Sequence, residues 1–402
     1  MADFYERSLS MHEQLRGKIG VHSKIPINSH DDLSIAYTPG VARPCEVLGK
    51  DPSKARELTI KRNTVAVVSD GSAVLGLGNI GPYGAIPVME GKALLFKEFA
   101  DIDAWPICLD TQDTQEIIAA VRHIAPVFGG INLEDIAAPR CFEVEAALQD
   151  LGIPVFHDDQ HGTAIVLLAA LLNAAKVVGR KVTDIRVVIN GAGAAGTAIA
   201  NLLRCVGHDP AVCAPVKDVI VCDSKGVIHS GRKDLSPAKE KLLKFTNRSG
   251  REGSLRDVLE GCDVFIGVSK GNLLSGEDIK RMAADPIVFA MANPEPEIMP
   301  DEARQAGAAV VGTGRSDFPN QVNNVLVFPG IFRGALDAGS RTITDAMKLA
   351  AAHALADCVE QPDSDHILPD PLDRSVAPKV ARAVSDAAEA DTPNQTSSPA
   401  GR

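Results

Sequence analysis

The feature that most constrains the fold is a glycine-rich turn between a β-branched run and a helical pattern. In VVINGAGAAGTAIANLL the glycines stand in the order GxGxxG. The first glycine permits a tight turn, the second lets the backbone approach a diphosphate, and the third lets helix and strand pack closely. A turn without a ligand is the alternative, but the strand-turn-helix context favours a dinucleotide, whose diphosphate would meet the free N–H groups of the helix. The predicted cofactor-binding residues of the turn are Gly191, Ala192, Gly193, Ala194, Ala195 and Gly196.

Short apolar runs alternate with amphipathic segments on both sides of this turn. Before it, the runs are NTVAVVSD, WPICLD, FGGINLED and IPVFHD; from it onward, they are DIRVVIN, DVIVCD, CDVFIGV, PIVFAMAN and AAVVGTG. This alternation predicts an α/β protein, with an N-terminal α/β catalytic domain and a Rossmann-type dinucleotide-binding domain, each with a parallel sheet. We expect the first domain at 1–156, the second at 157–330, helices packing back on the first domain at 331–386, and a disordered Pro/Ser/Thr-rich tail at 387–402.

Composition and charge exclude several classes of protein. A net charge of −11 argues against nucleic-acid binding, which needs clustered Lys and Arg. The charged N-terminus lacks the apolar core of a signal peptide, and the longest apolar run, TAIVLLAALL, is too short to span a membrane. The eight cysteines show no zinc-ligand spacing and are predicted to be buried and unpaired in a reducing compartment. We therefore expect a cytoplasmic protein without nucleic-acid or membrane partners.

Two pairs of adjacent acids follow predicted strands: Glu134 with Asp135, and Asp158 with Asp159. Carboxylates converging at strand ends are suited to a hard divalent cation such as Mg²⁺ or Mn²⁺. Neighbours on a strand point to opposite faces, so two adjacent acids can share one ion only where the strand turns into a loop. Helix capping is the alternative role for these acids. The flanking His157 and His161 are interpreted as hydrogen-bonded polar residues, because no third imidazole accompanies them.

Three further residues are candidates for chemistry. Lys92 lies in a mostly apolar helical segment and either snorkels to the surface or, in a dry cleft beside a cation, acts as a general base. Tyr37 precedes the rigid turn TPGV and is either a packing residue or a proton donor. Asp223 ends the strand after the glycine-rich turn, where an acid binds ribose hydroxyls, although Lys225 nearby could receive a 2′-phosphate. The choice between NAD and NADP stays open.

Seven segments together resemble the malic enzyme family in its short bacterial form. In the family's order, between about 21 and 349, they are DLSIAYTPGVA, VVSDGSAVLGLGNIG, GGINLEDI, FHDDQHGTA, GAGAAG, MANPEPEI and NNVLVFPGIFRG. The resemblance implies oxidation and decarboxylation of malate to pyruvate and carbon dioxide, with NAD or NADP, a divalent cation and a homodimeric enzyme.

The resemblance also implies roles for residues at matching positions. Tyr37 would be the general acid and Lys92 the general base, which also contacts the substrate. The metal ligands would be Glu134, Asp135 and Asp159, with Asp158 orienting them; Asn293 would contact the nicotinamide and its ribose, and Asn324 the substrate. Larger family members carry an arginine for one malate carboxylate where this chain has Ala73. Backbone N–H groups at 38–41 or Lys92 are the substitutes that the sequence suggests.

Two other functions are compatible with parts of the pattern. A dehydrogenase of the amino-acid type would need the glycine-rich turn and the lysine but not the paired acids. A non-catalytic dinucleotide sensor would have no need of a proton relay. Neither accounts for all seven segments.

Overall fold

The computed structural model describes residues 2–209 and 212–395. Its helices in chain order are α1 Ala2–Leu15, α2 His30–Ala36, α3 Ala42–Lys50, α4 Ala55–Leu58, α5 Gly81–Ala100, α6 Thr114–Ile124, α7 Arg140–Leu148, α8 Asp158–Val177, α9 Ala194–Leu203, α10 Pro237–Leu242, α11 Leu255–Leu259, α12 Gly276–Lys280, α13 Pro300–Gln305, α14 Phe328–Asp337, α15 Asp345–Ala356 and α16 Val376–Gln395. Its strands are β1 Thr64–Ser69, β2 Asp103–Cys108, β3 Gly130–Leu133, β4 Val155–His157, β5 Arg186–Asn190, β6 Asp218–Asp223, β7 Gly226–Val227, β8 Val264–Gly267, β9 Ile287–Ala290 and β10 Val310–Thr313.

The first sheet is parallel, with strand order β2-β1-β3-β4, and its strands fall in the four runs that the sequence predicts. Its register sets Val68 beside Leu133 and Leu133 beside His157. The residues that follow β1, β3 and β4 therefore emerge at one edge of the sheet, which is where functional residues of parallel sheets gather.

The second sheet has the order β10-β9-β8-β5-β6-β7 and is parallel except for the short hairpin strand β7. The five predicted runs all form strands here, which confirms the predicted α/β class. The chain leaves β5 into the glycine-rich turn, with β6 on one side and β8 on the other. This is the point where strand order reverses, and such a crevice receives the ligand in open α/β sheets.

Helix α8 connects the two sheets and lies in the core. It is long and apolar enough to cross a membrane by length and composition, but 72% of its apolar window is buried inside the protein. Its neighbours include α9 and α15, so its apolar sequence is explained by packing on both sides. Aromatic rings join α14 to α5: the ring of Phe96 lies 4.7 Å from that of Phe328 and 5.3 Å from that of Phe332.

Two features differ from the sequence-based expectations. Helix α16 continues through 387–395, where a disordered tail is predicted, because Val380, Val384 and Ala388 recur on its buried face; the rest of that tail, 396–402, lies outside the described residues. Cys205 and Cys213 form a disulfide, whereas the cysteines are predicted to be unpaired. The chain turns back after α9, which places their Cα atoms 5.8 Å apart, within reach of a disulfide.

Candidate active site

The paired acids converge at the edge of the first sheet. Glu134 and Asp135 follow β3, and Asp159 lies in the first turn of α8. One carboxylate oxygen of each of these three residues lies within 4.8 Å of the other two. Asp135 has a φ of 54°, so the backbone has left the strand conformation at this residue. This turn allows two adjacent acids to face the same point, which a continuous strand would not permit.

Lys92 is buried in α5 and points into the acids. Its Nζ lies 2.7 Å from Asp158 Oδ2 and 2.9 Å from Glu134 Oε1, and it stands 4.3 Å from the ring centroid of Phe328. Burial alone would lower the pKa of Lys92, but the carboxylates of Asp158 and Glu134 outweigh it and raise the pKa. The ammonium group therefore does not snorkel to the surface, as its apolar helix would allow.

The cluster carries an excess of negative charge in a place largely shielded from water. The cluster holds four carboxylates and one ammonium group, and Glu134, Asp135 and Asp158 are buried. Burial raises the pKa of Glu134 well above its usual range. Buried charge of one sign is costly without compensation, and three oxygen donors around one point match the preference of Mg²⁺ and Mn²⁺. The residues present therefore fit a divalent cation.

The two histidines beside the acids play different structural parts. His161 Nε2 lies 2.9 Å from Glu145 Oε1, as expected for a hydrogen-bonded polar residue. His157 is fully buried, and burial lowers its pKa, which favours the neutral ring. Its ring nitrogens have no hydrogen-bond partner among the described residues, in contrast to the expectation. Glu145 also accepts the backbone N–H of His157 at 3.2 Å, a role that its position in a plain amphipathic helix did not indicate.

Asn324 lies beside the cluster, whereas the Tyr37 side chain is exposed and, in the described part of the chain, makes no hydrogen bond to it. A Cβ built on Gly162 of α8 would lie 3.3 Å from the Cβ of Asn324 and would collide with Asp158, so these two side chains meet over the glycine. Tyr37 caps α2 and is 67% exposed. No hydrogen bond or ion pair within the described residues joins the Tyr37 side chain to Lys92 or to the acids.

Ala73, which stands where larger family members carry an arginine, lies next to Asp135 of the acid cluster. Ala73 donates its backbone N–H to Asp135 O at 3.0 Å. Arg140, at the start of α7, donates from Nε and Nη2 to Asp70 Oδ2 at 3.1 and 2.8 Å. Of the backbone groups suggested as substitutes, the N–H of Val41 donates to Tyr37 O within its own turn. That donor is therefore already engaged.

The glycine-rich turn has the shape that a dinucleotide requires. Gly191 has a φ of 131°, and a Cβ there would lie 2.8 Å from Val268 O. A Cβ on Gly196 would collide with Gly191 O, whereas one on Gly193 would meet nothing within 4 Å. The open space at Gly193, immediately before Ala194 at the start of α9, is where a diphosphate can approach the backbone.

The two halves of the site meet at the loop after β9. A Cβ on Gly76, in the loop after β1, would lie 2.7 Å from Asn293 O. A Cβ on Gly314, after β10, would lie 3.0 Å from Asn293 Nδ2. Asn293 therefore stands where the loops of the two sheets come together.

Asp223 lies at the end of β6 and is held by two cations. Burial opposes its ionisation, but hydrogen bonds from Arg232 and Lys239 outweigh burial and lower the pKa of Asp223 to about 2. The two partners come from the hairpin and helix that follow β6. From the sequence, Lys225 is the cation expected here, and neither Arg232 nor Lys239 is indicated.

Comparison with known proteins gives one consistent result. The malic enzyme N-terminal domain matches residues 16–149, and the malic enzyme NAD binding domain matches residues 160–389. An NAD-dependent malic enzyme of Geobacillus stearothermophilus is 57% identical and covers 95% of this chain and 78% of its own length. An NADP-dependent malic enzyme of Escherichia coli is 46% identical, and the match covers 95% of this chain and 52% of that protein. The crystal structure of an NAD-dependent malic enzyme from Thermotoga maritima superposes with a TM-score of 0.89 at 49% identity, covering 94% of this chain and 98% of that one.

Proposed function

The chain belongs to the malic enzyme family, and we propose that its buried cluster around Lys92 is the place where malate is oxidised and decarboxylated. The activity is the conversion of malate to pyruvate and carbon dioxide with reduction of NAD or NADP, in the presence of a divalent cation. The amino-acid dehydrogenase and sensor alternatives are not favoured. The observation that carries the proposal is the contact of Lys92 with Asp158 and Glu134, beside three convergent carboxylates.

Glu134, Asp135 and Asp159 are the proposed ligands of the cation. When bound, the ion supplies Lewis-acid chemistry that polarises the substrate oxygen atoms. Asp158 is proposed to orient this set, because it is the first residue of α8, directly before Asp159, and pairs with Lys92. Asn324, which meets Asp158 over Gly162, is proposed to contact the substrate.

The proton balance of the reaction needs one base and one acid. Malate loses its hydroxyl proton during oxidation, and pyruvate gains a proton at its methyl carbon after carbon dioxide has left. Lys92 is the proposed base for the hydroxyl proton, since its Nζ is the amine that points into the cluster. A cation held by the carboxylates would offset the charges that retain its proton, so that the amine would be neutral when malate is bound. Tyr37 is the proposed acid for the methyl carbon. Lys92 thus gains the proton that Tyr37 gives up, and one proton must pass from Lys92 to Tyr37 before the next turnover.

The glycine-rich turn and Asn293 are the proposed cofactor site. When bound, a nicotinamide dinucleotide accepts the hydride. The turn residues, 191–196, would hold the diphosphate at the start of α9, and Asp223 would lie near the adenosine ribose. Asn293 would lie near the nicotinamide, because its loop reaches the loop after β1 and thereby the acids.

We infer a homodimer from the surface of the N-terminal arm, residues 4–37, and the cytoplasm stays the location that the sequence predicts. This arm exposes many large apolar side chains: Phe4, Tyr5, Leu9, Met11, Leu15, Ile19, Val21, Ile25, Ile27, Leu33, Ile35 and Tyr37. A surface of this size is unusual for a monomer and typical of an interface with another protein chain. A second copy that covers the arm would also remove Tyr37 from solvent, as the role of a proton donor requires.

The direct test measures the oxidation of malate by the wild-type protein, once with NAD and once with NADP, with Mn²⁺ present in both assays. We expect reduced cofactor and pyruvate in equal amounts, detected by absorbance and by mass spectrometry. Lys92→Gln should lose the activity, whereas Lys97→Gln, a partly exposed lysine of the same helix, should retain it. Accumulation of the C4 keto acid without pyruvate, or no reduction of either cofactor, would contradict the proposal.

A further inference from the structure

The adenosine end of the cofactor site contains more cations than the sequence pattern indicates. Asp223 ends β6 beside the glycine-rich turn, because the N–H of Gly191 donates to Cys222 O at 2.9 Å. Around Asp223 lie Arg232, in the loop after β7, and Lys239, on α10.

The carboxylate of Asp223 is fully engaged by its neighbours. Its Oδ1 accepts from the N–H of Lys225 at 2.9 Å and from Arg232 Nη1 at 2.8 Å. Its Oδ2 accepts from Arg232 Nη2 at 3.1 Å and from Lys239 Nζ at 2.5 Å. A carboxylate has about four acceptor positions, and these four donors occupy them. Asp223 can therefore accept a ribose hydroxyl only by giving up a contact that it already makes.

The same network leaves an excess of positive charge. Arg232 also pairs with Asp234, through Nε at 3.0 Å and Nη2 at 2.9 Å, and Lys225 Nζ lies 2.7 Å from Asp234 Oδ2. Three cationic side chains thus face two carboxylates. The side chain of Arg232 is only 10% exposed, so its planar guanidinium is held in place before any ligand arrives. A fixed guanidinium and a nearby ammonium are the groups that proteins use for phosphate.

We propose that Arg232 and Lys239 form the binding element for the 2′-phosphate of NADP, and that Asp223 is its internal competitor. In this arrangement Asp223 holds the two cations when NAD is bound, and the 2′-phosphate takes its place on them when NADP is bound. A phosphate carries a charge of about −1.5 to −2 against −1 for the carboxylate, so the cations lose no electrostatic partner in the exchange. The enzyme accordingly uses both cofactors, and Asp223 sets their ratio. This inference rests on the proposed function only in assuming that the turn binds a dinucleotide.

The test measures binding of adenosine 2′,5′-bisphosphate and of 5′-AMP, which lacks the 2′-phosphate, to the full-length protein by calorimetry. Asp223→Asn should tighten binding of the bisphosphate about tenfold, corresponding to about 1.4 kcal/mol, because the competing charge is gone. Arg232→Gln and Lys239→Gln should each weaken it by about the same factor and change 5′-AMP binding much less. Lys241→Gln, an exposed lysine on the same helix as Lys239, is the matched control and should change neither.

The double variant Asp223→Asn with Arg232→Gln separates the role of Arg232 from a general charge effect. It removes the Asp223 carboxylate and the Arg232 guanidinium together, so the net charge of the network is unchanged. It should lose the tighter binding that Asp223→Asn gains. The proposal is overturned if the double variant still binds the bisphosphate as tightly as Asp223→Asn does. It is also overturned if Arg232→Gln and Lys239→Gln weaken the binding of 5′-AMP as much as that of the bisphosphate. Thermal melting shows whether each variant is folded. If Arg232→Gln does not fold, the binding data for Lys239→Gln still test the proposal. Failure of the proposed function would instead appear as absence of malate oxidation by the wild type with either cofactor.

Discussion

At the scale of single residues, the acid cluster depends on one backbone angle that the amino-acid types do not specify. Glu134 and Asp135 are neighbours, and in a continuous strand their side chains would point to opposite faces. The left-handed φ of Asp135 brings both to the same point, next to Asp159. The N–H of Asp135 then donates to Asp159 Oδ2 at 2.8 Å, which fixes the turn to the start of α8. The sequence therefore shows which acids are candidates, whereas the backbone turn at Asp135 brings their side chains together.

Replacing Asp159 by Asn should weaken metal binding without unfolding the protein. The amide can still accept the N–H of Asp135, but it lacks the charge of one of three carboxylates. Loss of a supporting residue around a metal ligand costs about 10- to 100-fold in affinity, and loss of a ligand charge should cost at least about 100-fold. Titration with Mn²⁺ by calorimetry measures this, with the exposed Asp150→Asn as control. Equal Mn²⁺ affinity in the wild type and Asp159→Asn would remove Asp159 from the site.

Lys92→Met should destabilise the metal-free protein and the metal-bound protein to different extents. Without the ammonium group, Asp158 and Glu134 are left buried with no cationic partner, and breaking a buried pair in this way costs about 3–5 kcal/mol. Mn²⁺ supplies positive charge to the same carboxylates, so part of the loss in free energy of unfolding should be recovered when it is present. Urea denaturation with and without Mn²⁺ gives both values.

The control for this measurement is Lys97→Met, because Lys97 lies on the same helix with its side chain 42% exposed. Exposed ion pairs contribute about 0–1 kcal/mol, so its effect should be small and independent of Mn²⁺. If Lys92→Met lowers the free energy of unfolding equally with and without Mn²⁺, then the ammonium group and the ion do not both compensate the carboxylates of Asp158 and Glu134.

At the scale of elements, close packing of α14 against α16 fixes the position of Phe328, the aromatic residue that contacts Lys92. Phe328 of α14 lies under the Lys92 ammonium group, and Gly330 and Gly334 let α16 approach the same helix. A Cβ on Gly334 would lie 2.8 Å from the Cβ of Val384 and would collide with Ala381 O. The position of Phe328 thus depends on helices that are distant from it in sequence.

Gly334→Ala should therefore destabilise the protein, although alanine favours helix. The gain in helix propensity is about 0.5–1 kcal/mol, whereas overpacking costs about 1–3 kcal/mol, so the contact decides the sign. Gly49→Ala is the matched control, since Gly49 is in α3 and a Cβ there meets nothing within 4 Å; it should stabilise slightly. Urea denaturation compares the two. A stabilising Gly334→Ala would show that α16 moves away freely.

Particular elements show how far the sequence predicts this structure. The nine long strands were predictable because each is a short apolar run ended by polar residues, and α8 because its apolar run exceeds the length of a strand. The sequence predicts helices as far as residue 386 but not the last part of α16, residues 387–395, because its Pro- and Thr-containing polar sequence is typical of a disordered tail. Arg232 lies after β7 in a loop whose path no local pattern specifies, so the sequence does not indicate that it pairs with Asp223 at the end of β6.

At the scale of the whole molecule, the single chain leaves one proposed catalytic group outside the cluster. Tyr37 lies on the exposed arm, 67% accessible, while Lys92 is buried beside Asp158, Glu134 and the ring of Phe328. In a twofold dimer each arm meets the same surface of the other copy. A dimer built on this arm can therefore supply Tyr37 of one copy to the Lys92 cluster of the other.

Heterodimers of two inactive variants test this arrangement. Tyr37→Phe and Lys92→Ala should each lose most of the activity, the latter by about 10²- to 10⁴-fold. Co-expression with two different affinity tags and purification on both yields dimers with one chain of each kind. If Tyr37 and Lys92 of different copies share a site, one of the two sites contains both native residues, so activity should recover to about half of the wild type. If both residues act within one copy, every site has one defect and the heterodimer stays inactive. Doubly tagged Lys92→Ala dimers give the background, and a monomer in sedimentation analysis would contradict the dimer itself.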